Sequence, residues 1–179
     1  TTWLKRHLKP KDSDPIKLRL DRLLEVIDQS IAIKRAITTS LVPPLLRELG
    51  LIEAIKAMTE DLPDDHATTY RLTIQNELPK VDSDRELALY RICQESLTNI
   101  RKYADANHVD IKLGLIKGKI ELTIKDDGKG FSPELLKRGT HGISGMRARA
   151  AMFSGVLTIK SNAKEGTSVR ASIPLAATD

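Results

Sequence analysis

Apolar residues in the first quarter of the chain recur at alternating steps of four and three. Ile16, Leu20, Leu23, Ile27, Ile37 and Leu41 hold the stripe, Ser30 and Lys34 interrupt it, and Leu24 and Ile31 widen it. This period predicts a long helix over about 15–41 with a bundle or coiled-coil face. Thr1 to Leu8 reads as the tail of an earlier helix, and the run from Pro10 to Pro15 as a turn. Together they predict an antiparallel helical hairpin whose first arm is mostly missing. The exposed stripe then calls for a partner, a second copy of the same hairpin. Pro43-Pro44 ends the long helix, because neither proline donates a backbone hydrogen bond. A second helical stretch over 45–62 is interrupted near Gly50, and Pro63-Asp64-Asp65 forms a loop.

Further on, the period changes to two. Tyr70, Leu72 and Ile74 alternate with polar residues, as do Val109, Ile111, Leu113 and Leu115, then Ile120, Leu122 and Ile124. These are half-buried strands, and Lys117-Gly118 joins the last two as a hairpin. Ser83 with Glu86 predicts a capping box opening a helix that runs to about Tyr103. Gly142 to Phe153 is a further helix, and Leu157 with Ile159, then Val169, Ala171 and Ile173, mark two closing strands. The order predicts an α+β fold, a two-layer sandwich of a mixed β-sheet and helices, preceded by the long bundle helix. The predicted divisions are 1–42 for the truncated hairpin, 43–63 for a connecting segment and 64–179 for the α+β domain.

Composition narrows the class. The 179 residues are 40% hydrophobic but only 3% aromatic, so the core is aliphatic. The one cysteine, Cys93, excludes an internal disulfide and a multi-cysteine metal site. The net charge of +5 comes from scattered residues, without the basic stripe or stacking aromatics of a nucleic-acid binder. No run of eighteen apolar residues predicts a membrane span. The chain opens on Thr1 inside what reads as a helix, which suggests a piece of a longer protein.

Three clusters carry candidate chemistry. On the helix before Tyr103, Arg91, Glu95, Asn99 and Lys102 share one face, opposite Leu89, Cys93, Leu97 and Ile100. Such a stripe is ordinarily a solvated face. Yet Glu, Asn and Lys supply a base, a neutral oxygen ligand and a cation, the groups a magnesium–phosphate site needs. Asp126-Asp127-Gly128-Lys129-Gly130-Phe131 follows a strand directly. It is a common glycine turn unless Asp126 faces a pocket, where its carboxylate can accept from an exocyclic amine such as that of adenine. His141-Gly142-Ile143-Ser144-Gly145-Met146-Arg147 opens a helix whose free N–H groups suit an anion. Ser132 to Thr140, between the last two clusters, suits a lid over phosphates. P-loop, dinucleotide-fingerprint and eukaryotic-type kinase motifs are absent, and the four histidines are dispersed.

In this order the clusters resemble the GHKL ATP-binding fold. Gln94 to Tyr103 resembles its N box, Asp126 to Phe131 its D-x-G-x-G box, and Gly142 to Arg147 its second glycine box. Gly166-Thr167-Ser168-Val169, followed by Pro174, resembles the closing G-T-x-V strand. The likeness covers about Asp84 to Pro174. Ser40 to Leu51 is similar to the segment after the dimerisation helices in two-component sensor histidine kinases, in the subclass signalling to response regulators with a helix-turn-helix output; Val42 stands where that family often has Arg.

The resemblance implies that Asn99 ligates Mg2+ between the phosphates of ATP, with Glu95 beside it as a base or a water-mediated metal contact. Lys102 would neutralise phosphate charge and Tyr103 pack near the nucleotide. Asp126 would read the adenine amine, helped by Thr167. Gly128, Gly130, Gly142 and Gly145, with Met146 in the same box, would wrap the ligand. The implied activity is transfer of the γ-phosphate to a histidine on the dimerisation helix of a homodimer, in the cytoplasm, for relay to the response regulator. The acceptor is expected to be absent from this chain, since His7 is followed by Leu8 rather than an acidic residue. The rival readings are an ATP hydrolase or anti-sigma serine kinase of the same superfamily, and a non-catalytic dimerisation module.

Overall fold

A computed structural model describes residues 42–60, 68–75, 78–131, 141–162 and 165–175. The predicted hairpin with its long helix, His7 and the segment Ser132–Thr140 lie outside the described residues. In chain order the elements are α1 (Pro44–Glu60), β1 (Thr69–Gln75), α2 (Ser83–Asn99), β2 (His108–Ile116), β3 (Lys119–Asp126), α3 (His141–Ala151), β4 (Val156–Asn162) and β5 (Gly166–Pro174).

The strands form one mixed sheet in the order β1-β2-β3-β5-β4. β1 and β2 are parallel, which requires a crossover, and α2 supplies it. The other neighbours are antiparallel. Lys117 and Gly118 turn β2 into β3 with φ of 50° and 74°, the doubly positive pattern whose twist suits a two-residue hairpin.

Alternation sends one set of side chains to the helices and the other to solvent. Ile111, Ile124 and Val169 share one register row, and Leu113, Leu122 and Ala171 the next. All six are buried, and α2 packs Leu89, Ile92, Cys93 and Leu97 onto them in a single apolar core. Burial pushes the Cys93 thiol up to about 12, so it behaves as a small core hydrophobe. α3 adds Ile143, Met146 and Ala150 to the same core.

Two local expectations change. Asp82, not Ser83, caps α2: its Oδ1 accepts from the Arg85 N–H at 3.1 Å. Glu86 does not complete a capping box, because its carboxylate accepts from the Leu51 N–H of α1. That donor is freed where α1 kinks at Gly50 (φ 77°, ψ 179°). The second change is at the other end of α2, which does not run on regularly to Tyr103. From Ile100 to Ala104 it widens into a π-helical turn and stops at Asp105 in the left-handed region.

Candidate functional site

At one end of the sheet the helix-facing rows turn from apolar to polar. The row above Ile111, Ile124 and Val169 reads Val109, Asp126, Thr167, Ser161: Val109 pairs with Asp126 and Thr167 with Ser161. One step beyond the last pair of the β3–β5 ladder, the Thr167 N–H donates to Asp126 Oδ1 at 3.2 Å.

Asp126 is only 2% exposed. Oδ1 also accepts from the Gly128 N–H at 3.0 Å. No other described residue donates a side-chain or backbone hydrogen bond across to Oδ2. Burial pushes this carboxyl above the ordinary aspartate value, and the Gly128 and Thr167 N–H groups pull the other way. A buried acceptor with one oxygen saturated and one open is a recognition group in waiting.

Its neighbour does a different job. Asp127 is exposed, and its Oδ1 accepts from both the Asn107 and His108 N–H groups at 2.8 Å. Those hydrogen bonds, the His108 one foremost, hold its carboxyl below the ordinary value. Asp127 thus buckles the end of β3 to the start of β2. The next residues close the buckle on the π turn, where the Lys129 N–H donates to Ala104 O at 2.8 Å. A Cβ on Gly128 would lie 2.8 and 2.9 Å from Ala104 C and Cβ, so only glycine fits.

The four sequence clusters meet through such contacts. Glu95, half-buried on α2, lies against the start of α3: a Cβ on Gly142 would collide with Glu95 Oε1 and lie 2.9 Å from Cδ. Gly166, at φ 81°, packs on the Asp126 backbone, and Gly130, at φ 60°, on the Asn162 carbonyl. Both need the left-handed region that glycine enters freely. The end of α2 is joined to the glycine box by Ala104, and the closing strand to Asp126 by Thr167.

Each predicted site residue has a definite place. Asn99 ends α2 half-buried, and neither it nor Glu95 makes a side-chain hydrogen bond to another described residue. Lys102 and Tyr103 ride the π turn and are exposed, Tyr103 by 65%. Met146 is 1% exposed, and its Sδ lies 3.5 Å from Ser96 Oγ, whose proton goes to Ile92 O at 2.8 Å, so Met146 seats α3 on α2 by packing. Gly142 and Gly145 lie half-buried in the first turn and a half of α3. Thr167 is half-buried beside Asp126. Sequence reasoning passed over Ala104, Asp127 and Ser161, whose roles arise from partners distant in the chain.

A cavity of about 330 Å3 lies elsewhere, between α1 and α2, lined by residues such as Leu45, Met58, Tyr90 and Arg101. It contains none of the clustered polar groups, so the chemistry points to the end of the sheet. No group of three His, Cys, Asp or Glu side chains among the described residues is placed to hold a metal. No helix among them is long and apolar enough to cross a membrane.

Residues 84–177 match the family described as histidine kinase-, DNA gyrase B-, and HSP90-like ATPase. The signal transduction histidine-protein kinase/phosphatase DegS of Brevibacillus brevis is 33% identical over 86% of this chain and 40% of its own length. The sensor histidine kinase MctS of Rhizobium johnstonii is 30% identical over 92% of this chain and 36% of its own. The chain thus spans well under half of these relatives. Among solved structures, the Acinetobacter baumannii histidine kinase AdeS superposes with a TM-score of 0.60 at 18% identity, covering 94% of this chain and 87% of that one, which shows a shared fold.

Proposed function

The chain belongs to the histidine kinase-, DNA gyrase B- and HSP90-like ATPases as a sensor histidine kinase catalytic domain, and from that premise we propose that it binds Mg-ATP at the end of the sheet and transfers the γ-phosphate to a histidine. One observation carries the reading: Asp126 is buried, fixed by two N–H groups on Oδ1, and open at Oδ2. A buried anionic acceptor selects a donor, and the exocyclic amine of adenine is one. Asn99 ends α2 and Glu95 lies against the start of α3, each with side-chain oxygens that accept no hydrogen bond from another described residue. The donor set fits Mg2+ better than a protein-only metal cage, because Mg2+ takes one or two protein oxygens and fills its shell with phosphate and water. When bound, the ion would draw charge from the phosphates as the γ-phosphoryl group moves.

The family likeness, together with the positions of these residues, supports the following contributions. Asn99 would offer its amide oxygen to Mg2+, and Glu95, held against Gly142, would act as a base or as a water-mediated contact to the ion. Lys102 and Tyr103, exposed on the π turn, are free to swing toward phosphate and base. Gly128, Gly130, Gly142 and Gly145 bring backbone close to the ligand, and Met146 fixes the helix that carries the last two. Thr167 supports Asp126. The acceptor imidazole belongs to the dimerisation helix of a homodimer, and the phosphoryl group passes on to a response regulator, of the helix-turn-helix class by the likeness of Ser40 to Leu51. A cytoplasmic setting accords with that chemistry.

Calorimetric titration with ATP, with and without Mg2+, tests the proposal. Binding that strengthens with Mg2+ in the wild type, but loses that dependence in Asn99→Ala, is expected. Absence of ATP binding by the wild-type chain would refute it.

A further inference from the structure

The basic residues are scattered along the sequence, but strand pairing gathers six of them on one surface. Alternation points Arg71 of β1, Lys112 of β2, Lys119 and Lys125 of β3, Lys160 of β4 and Arg170 of β5 away from the helices. Each of them is exposed. Among the described residues, Asp110 and Glu121 are the only strand acids on that face. Both are loosely paired, Asp110 with Arg71 at 3.9 Å and Glu121 with Arg170 at 4.0 Å. The acids are recessed and the cations protrude. The Glu121 side chain is 18% exposed against 59% for Arg170, and that of Asp110 43% against 78% for Arg71. A partner approaching the sheet from outside therefore meets positive charge first.

The register fixes the spacing. Arg71, Asp110, Lys125, Ser168 and Lys160 form one row across the five strands, so its cations fall on alternate strands. In the next row Lys112 and Arg170 occupy the two strands between. Neighbouring cations within a row stand about 10 Å apart, two strand spacings. That is too wide for one small anion to bridge and suits a two-dimensional array of anions. No Phe, Tyr or Trp of the five strands points from this face, so a nucleic acid finds no stacking platform there. At the end of the sheet away from Asp126, Ile116 and Val156 stand exposed on the same face. We propose that the outer face of the sheet docks the domain on an anionic lipid surface, with the cations against headgroup phosphates and Ile116 and Val156 at the acyl boundary. Docking there leaves the helix-facing side, with Asp126, turned away from the lipid. The inference stands independently of nucleotide binding.

Co-sedimentation of the full chain with vesicles tests it, comparing phosphatidylglycerol mixed with phosphatidylcholine against phosphatidylcholine alone. At low salt the chain should sediment with the anionic vesicles only, and binding should fade as added salt screens the face. Lys112→Gln, Lys125→Gln and Arg170→Gln should each weaken binding roughly fivefold, the worth of one cation near an anionic surface. Lys80→Gln removes the same charge from the exposed loop before α2 and should change binding by less than about twofold. Ile116→Ser should weaken binding without altering its salt dependence. Equal sedimentation with neutral vesicles, or none with anionic ones, would overturn the proposal. Unchanged binding in the face variants would do the same, as would an equal loss in Lys80→Gln, which would reduce the attraction to net charge. Face variants that bound vesicles normally but lost affinity for duplex DNA or polyglutamate would give the surface to a different partner.

Discussion

Replacing Asp126 by asparagine changes one atom and separates recognition from stability. Oδ1 receives the N–H groups of Gly128 and Thr167, at 3.0 and 3.2 Å. The amide oxygen of the substituted side chain must take that position, since otherwise two buried donors lose their acceptor. The amide nitrogen then replaces Oδ2, and an acceptor becomes a donor. An adenine amine facing it loses a hydrogen bond to a charged group, worth roughly 1.5–3 kcal/mol. This predicts ATP binding weaker by about 10- to 150-fold, at 1.4 kcal/mol per tenfold.

Stability should move the other way. Burial raises the folded-state pKa of Asp126 above its ordinary 3.8. A raised value means that the ionised carboxylate opposes folding, increasingly as pH climbs from the ordinary value through the raised one. The neutral amide escapes this, so Asp126→Asn should melt no lower than wild type at pH 7 and lose that advantage as pH falls toward 3.8. The assays are titration calorimetry with Mg-ATP and a thermal melt across pH. A variant that binds ATP as tightly as wild type would refute the assignment of Oδ2. A variant that melts well below wild type at pH 7 would refute the hydrogen-bond geometry.

Three further outcomes follow from the contacts around it. Asp127 has a lowered pKa through the His108 and Asn107 N–H groups, so its buckle stabilises above the ordinary carboxylate range and is lost as pH falls through its folded value; Asp127→Ala, which removes the shared acceptor, should therefore cost roughly 1 kcal/mol of stability at pH 7 in a thermal melt and flatten the acid limb of the stability curve. Gly128→Ala drives a Cβ into the Ala104 backbone and should destabilise by about 1–3 kcal/mol in a denaturant titration, whereas Gly142→Ala meets only the movable end of Glu95 and should stay within about 1 kcal/mol while altering phosphotransfer. Arg85 donates from Nε to Pro174 O at 2.9 Å, pairs with Asp82 at 2.7 Å and lies 4.8 Å from the Phe153 ring centroid, so Arg85→Ala should lower stability by roughly 1–3 kcal/mol without changing ATP affinity.

The sheet was legible because its signals are local. Alternation in Val109–Leu115 and Ile120–Ile124, with Lys117-Gly118 between them, specifies a hairpin whatever lies around it. The choice of Asp82 over Ser83 as cap was not local. Two adjacent residues can each cap, and the tie is broken by Glu86, which is drawn away to the Leu51 N–H of a different helix. The π turn left no trace either, because Ile100 and Ala104 are both buried and neither glycine nor proline marks the widening. Motif order singled out Asp126 and Thr167 as members of one site. It could not reveal that Ser161 stands beside Thr167, since that pairing exists only in the β4–β5 register.

The central claim, that the polar end of the sheet holds the nucleotide, is tested most directly by amide chemical-shift mapping as Mg-ATP is added to the isotope-labelled chain. The largest shifts are expected at the Gly128 and Thr167 amides, which hold Asp126, and at Asn99, with Met58 and Tyr90 in the cavity between α1 and α2 unmoved. Saturating ATP that left Gly128 and Thr167 unshifted, or moved the cavity residues instead, would contradict it.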